Sequence, residues 1–146
     1  MSAWPATVDV LPHRPPMVLV DRIVSHDATQ TVCALDITSF TPFLCDGVVP
    51  AWVGVEYMAQ CVAAHAGLLA HARGETVRPG LLIGARSVDF HVDGFTVGQT
   101  IVVHGVHVWG ERTLASFECT LTDDRSQRRL ARGVLSVYSP PNGGAR

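Results

Sequence analysis

Residues 50–73 read PAWVGVEYMAQCVAAHAGLLAHAR, and Glu56 is the one carboxylate among them. Around a helical wheel this stretch is apolar or small on nearly every side, with Gln60, His65 and His71 as the polar exceptions. A helix that is hydrophobic all round is a buried helix, so the rest of the chain has to wrap it. Its length would also suit a bilayer span. Glu56, Gln60, two histidines and two glycines argue against that and leave an interior helix as the expectation. An acid on such a helix needs a partner, a raised pKa or a chemical role, because burying a carboxylate is costly. Glu56 is therefore the first candidate functional residue.

The 146 residues suit one domain, with residues 1–138 as its expected extent and residues 139–146 (SPPNGGAR) as an expected disordered tail. Only 16% of residues are charged, against an average of roughly 25%. So low a fraction implies either a large apolar core or surface buried in an oligomer. The net charge of −2 gives no footprint for nucleic acid. All eleven basic residues are Arg. Cys33, Cys45, Cys61 and Cys119 form no C-x-x-C pair and no zinc-like spacing, so buried free thiols are expected, with no metal and no cofactor. The first residues lack the charged and apolar blocks of a signal peptide, which leaves the cytoplasm as the expected location.

Pro12, Pro15 and Pro16 block a helix and favour an extended lead-in, with room for a short helical turn before Leu11. Residues 17–24 (MVLVDRIV) and 31–39 (TVCALDITS) read as a strand hairpin across the polar turn 25–29. Residues 40–51 read as a loop marked by Pro42, Asp46-Gly47 and Pro50. The helix is expected from Ala51 or Trp52 to about Ala72, with Gly74 at its C-terminal cap. Strands are expected near 81–92, 99–109, 113–123 and 129–138, separated by glycine and aspartate turns. The order β-β-α-β-β-β-β with one long apolar helix predicts an α+β chain whose curved antiparallel sheet wraps that helix. This is the hot-dog architecture. Such a unit leaves a strand edge open, which pairing with a second copy or a paralogue would cover.

Three motifs carry a resemblance. Residues 11–22 (LPHRPPMVLVDR), 56–60 (EYMAQ) and 84–98 (GARSVDFHVDGFTVG) resemble, in order, segments of the β-hydroxyacyl-acyl-carrier-protein dehydratases of the FabA/FabZ type. The combined run from Asp46-Gly47 through Pro50-Ala51-Trp52 to the EYMAQ stretch is most similar to the ApeP-like branch, associated with aryl polyene synthesis. The resemblance implies removal of water from a 3-hydroxyacyl thioester carried on the phosphopantetheine arm of an acyl carrier protein. It implies that Glu56 is the helix acid that helps the 3-hydroxyl leave, that Gln60 belongs to the same motif, and that the N–H groups of Ala51 and Trp52 meet the thioester carbonyl. A helix start has spare donors and a favourable dipole for that last role.

The family's base, a His in a Gly-His-Phe-Pro loop, does not carry over. The corresponding stretch reads Cys45-Asp46-Gly47-Val48-Val49-Pro50. Three groups could take its place: His13 folding back from the N-terminal segment, Asp46 from the loop itself, or a His from a paralogous subunit. The plain alternatives are a structural His bonding a carbonyl and an ordinary Asp-Gly turn. His65 reads as a satisfied core or interface residue. His104 and His107, three apart on a strand, should point to opposite faces. Arg73, Arg78, Arg86 and the Arg128-Arg129-Arg132 group could dock the carrier's acidic surface or its phosphate, or could be a solvated polar face.

Overall fold

The computed structural model describes residues 3–77, 80–111 and 113–140. A short helix α1 (Thr7–Val10) leads through an extended segment to strands β1 (Arg22–His26) and β2 (Gln30–Asp36). A short strand β3 (Val48–Pro50) and a 3-10 turn (Ala51–Val53) open into the long helix α2 (Gly54–Ala72). Strands β4 (Leu81–Phe90), β5 (Gly94–Thr96), β6 (Thr100–Gly110), β7 (Leu114–Asp123) and β8 (Arg129–Tyr138) follow. Six of them form one antiparallel sheet in the order β1-β2-β6-β7-β8-β4, while β3 and β5 pair separately. The sheet wraps α2, as the apolar helix required. This is the hot-dog fold.

α2 ends as its sequence indicates. Gly74, at φ 69°, takes the left-handed position, its N–H donates to His71 O, and Glu75 N–H donates to Ala70 O. These two bonds satisfy carbonyls that the last turn leaves open. The sheet-facing side of α2 buries Met58, Cys61, Val62 and Leu68 against Cys33, Val103, Phe117 and Leu121. Cys61 Sγ donates to Thr31 O on β2, 3.3 Å away. Its thiol pKa is pushed up by the neighbouring Cys33 and by burial, which leaves it an inert core group. Gly67 has a different neighbour. A Cβ there would run into the backbone carbonyl of Val10, so only glycine lets α1 lie directly on α2.

Two expected boundaries moved. The first strand begins at Arg22 rather than at residue 17. The cause is a side chain: Gln60 Oε1 accepts from Leu19 N at 2.8 Å and from Val20 N at 3.4 Å. The amides of Leu19 and Val20 thus bond α2 instead of a neighbouring strand, while the Met17 N–H closes a turn onto Arg14 O. The stretch expected as loop contains β3, which pairs with β5 (Val48↔Thr96, Val49↔Phe95). The expected 81–92 strand ends at Phe90, and β5 occupies part of the stretch between it and β6 that was expected as a turn. Arg78 and residues 141–146 of the expected tail lie outside the described residues.

Among the described residues, strand β4 is hydrogen-bonded on one side only, to β8. Leu82, Ile83 and Phe90 are exposed on it. A long apolar edge of this kind is a template for pairing with another chain. No helix among the described residues is long and apolar enough to cross a membrane.

Candidate active site

One face of α2 is not covered by the sheet. Glu56, Ala59, Ala63, Ala66 and Ala70, spaced by three and four residues, share that face and line a cavity of about 500 Å3. The opposite wall comes from His107 on β6, from Ala115 and Phe117 on β7, and from Val137 on β8. The greasy-all-round helix therefore has two apolar faces for two reasons: one is core, and the other is the floor of a binding cavity.

At the N-terminal end of this floor, His13 reaches Glu56. His13 Nε2 lies 3.5 Å from Glu56 Oε2, and the two side chains are 28% and 37% exposed. His13 Nδ1 is buried without a hydrogen-bond partner among the described residues. The imidazole thus presents Nε2 to the acid and the cavity.

Three contacts hold the segment that carries His13. Thr7 Oγ1 donates to Val20 O (3.0 Å), α1 rests on α2 at Gly67, and Gln60 ties residues 17–20 to the helix. Gln60 is fully buried, and both ends of its amide are used. Nε2 donates to Met17 O at 2.6 Å and to Glu56 Oε2 at 3.0 Å, while Oε1 receives the Leu19 and Val20 amides. Gln60, expected at the substrate, does not line the cavity. It fixes the Glu56 carboxylate and the His13-bearing segment with one side chain, and its spacing from Glu56 was the only sequence signal of this.

The other expected site residues lie elsewhere. Asp46 and Gly47 form a two-residue hairpin turn, both at positive φ (54° and 80°), closed by Cys45 N–H to Val48 O and Val48 N–H to Cys45 O. Asp46 is exposed and does not line the cavity, so the protomer does not bring it to Glu56. Ala51 N–H donates to Asp93 O at 3.0 Å, so the β3–β5 pairing already occupies the amide expected at the carbonyl. Trp52 is 63% exposed and packs edge-on to Phe43, away from the cavity. Of the arginines, Arg73 lines the cavity near the end of α2, 4.0 Å from Glu75, whereas Arg132 is paired with Glu118.

This chain belongs to the ApeP-like dehydratase family.

The family model, described as ApeP dehydratase, matches residues 5–145. The dehydratase heterocomplex ApeI:P from Xenorhabdus doucetiae is similar in structure, with a TM-score of 0.90 and 27% identity over 96% of this chain and 94% of that one. A hypothetical thioesterase from Streptococcus pneumoniae, with coenzyme A, has a TM-score of 0.64 at 11% identity and covers 82% of this chain and 84% of that one. The PaaI protein of the E. coli phenylacetic acid degradation operon has 0.62 at 12%, over 80% and 81%. At such identities these last two show the fold alone. No curated protein sequence matches the chain. The ApeP-like assignment makes the cavity beside Glu56 one of dehydratase descent.

His65, which also lines the cavity, is a satisfied core residue, as its sequence context suggested. Its Nδ1 and the Nδ1 of His26 both lie 2.8 Å from Thr31 Oγ1. The single hydroxyl proton can serve only one ring, so the hydroxyl donates to one and accepts from the other. Burial holds the His65 pKa down to about 4, helped by repulsion from His26 and His107. Between about pH 6.5 and 4 the unfolded chain binds a proton at this residue and the folded one does not. Stability therefore falls as pH drops through that window. From pH 7 to 5 the wild type should lose about 2 kcal/mol through this group. Urea midpoints for wild type and His65→Gln at both pH values check it: equal pH slopes for the two proteins would contradict the burial of a neutral His65.

Proposed function

We propose that this chain dehydrates 3-hydroxyacyl thioesters of an acyl carrier protein, with His13 and Glu56 as base and acid from the same chain. The observation that carries this reading is the 3.5 Å approach of His13 Nε2 to Glu56 Oε2 at the end of an apolar cavity. His13 takes the proton from C2, which the thioester acidifies. The C2–H electrons form the C2–C3 double bond. The C3–O bond breaks, and the hydroxyl leaves as water with a proton from Glu56. The two catalytic groups are neighbours, so the proton on His13 returns to Glu56 and resets the pair. An imidazole titrates near neutral pH and suits the first role, and two groups this close can reach adjacent carbons of one substrate.

Polarisation of the thioester carbonyl is assigned to a second hot-dog chain. The Ala51 amide of this chain is engaged with Asp93 O, and Leu82, on the edge strand β4, lines the cavity. A second dehydratase chain added along that edge would cover Leu82 and Ile83 and wall the cavity. The heterocomplex described for the Xenorhabdus relative supports a paralogous partner over a second copy.

Product analysis tests the reaction class. A 3-hydroxyacyl carrier-protein thioester, incubated with the chain and its paralogous dehydratase, is expected to give the trans-2-enoyl thioester with no free thiol. Release of free thiol would instead assign the site to thioester hydrolysis.

A further inference from the structure

The sheet has a second edge. β1 is bonded to β2 over a short, bulged ladder from Arg22↔Ala34 to His26↔Thr31, and among the described residues no strand pairs its far side. Ala28, in the turn after β1, and His65 on α2 both line the cavity. β1 is fastened to α2 through its last residue. The His26 ring centroid lies 5.1 Å from that of His65, and both Nδ1 atoms lean on Thr31 Oγ1, which is fully buried. Trp4 covers the joint from the N-terminal segment. Its ring meets His26 edge-on at 5.9 Å, and its indole N–H donates to Val24 O on β1.

With both rings neutral, one Nδ1–H donates to the hydroxyl oxygen and the hydroxyl donates to the other Nδ1. One added proton keeps this order, because the charged ring becomes the donor. A second proton puts hydrogen on both Nδ1 atoms. The hydroxyl then has no ring acceptor, and two like charges face each other across 5.1 Å in a part-buried site. The surroundings do not offset this. Burial, then His26 and His107 on β6, disfavour a charge on His65, against the weaker pull of Asp27 and the Ala28 backbone. Burial likewise outweighs Asp27 at His26. β7 contributes the uncharged Phe117. We propose that β1 is an acid-released flap in the wall of the cavity. One proton leaves it closed; the second separates His26 from His65 and lifts β1 away from α2, opening the cavity beside Ala28. This inference does not depend on the dehydratase reading, because the joint uses neither His13 nor Glu56.

Amide hydrogen exchange on the full-length chain at pH 7 and pH 5, read as protection factors, tests the flap. Amides bonded between β1 and β2 are expected to open more readily than those between β7 and β8 at both pH values. Each histidine that is neutral in the closed form and free in the open one raises the opening constant about 25-fold between these pH values. In the wild type the β1 opening constant should therefore rise by more than about 25-fold. In His26→Gln, whose amide can still donate to Thr31 Oγ1, the rise should be no more than about 25-fold. Three results would overturn the proposal: β1 protection that does not change with pH, β1 amides as well protected as those of β7 and β8, or a rise in His26→Gln as large as in the wild type. The first two are read on the wild type, so they decide the matter even if His26→Gln does not fold.

Discussion

Replacing Glu56 with Gln is expected to lower turnover of a 3-hydroxyacyl thioester by about a thousandfold, within the range for losing a positioned general acid. The amide has nearly the shape of the carboxyl group, so Gln60 can remain beside it and the helix should hold. Melting temperature should change little, because Glu56 is over a third exposed and bears no buried ion pair beyond His13. His13→Asn should lower turnover to a similar degree through loss of the base, and the double variant should be little worse than either single one. Groups acting as a unit are non-additive in this way. If Glu56→Gln kept more than a tenth of the wild-type rate, the catalytic assignment would be wrong, and the chain would act as scaffold for the partner's site.

Gln60→Leu should be the most destabilising substitution near the site. It fills similar space but leaves the buried amide of Leu19, and in part that of Val20, without an acceptor. Each unmet buried group costs about 1–3 kcal/mol, so a loss of roughly 2–4 kcal/mol is expected. Activity should fall by at least tenfold as well, since the same change frees the segment that holds His13 and removes a hydrogen bond from Glu56. Gln60→Glu separates the two effects. Its second oxygen would face both Glu56 Oε2 and Met17 O, which demand a donor. The variant should recover stability as pH is lowered and the new acid protonates. A denaturation midpoint for Gln60→Leu equal to that of the wild type would remove Gln60 from the positioning role.

Much of the fold was legible because its signals are local. The uninterrupted apolar character of residues 50–73 requires a buried helix, and the β-branched runs between glycine turns mark strands β6, β7 and β8 to within a residue or two. Gly74 was recognisable as a cap because φ above zero favours glycine. The short β3 and β5 strands were not, because three-residue elements have no periodicity of their own and exist only through their pairing. Residues 17–20 have strand composition, but Met17 O and the amides of Leu19 and Val20 are taken by the Gln60 side chain. Asp46-Gly47 read first as an ordinary turn and second as a candidate base, and within this protomer it forms a hairpin turn.

The site divides in the same way. Sequence alone singled out Glu56 as a candidate: an acid on an all-apolar helix is conspicuous without any neighbour. The EYMAQ resemblance also named Gln60, one turn on from Glu56, but not its bonds to residues 17–20. What stands opposite Glu56 was left open among His13, Asp46 and a second subunit. Only the tertiary structure decided that His13 does so within the chain. The physical reason is that this approach depends on long-range closure: α1 must lie on α2 at Gly67, and Gln60 must capture the backbone of residues 17–20. Neither contact leaves a periodic trace in the sequence, because each is a single pairing between segments that are distant along the chain.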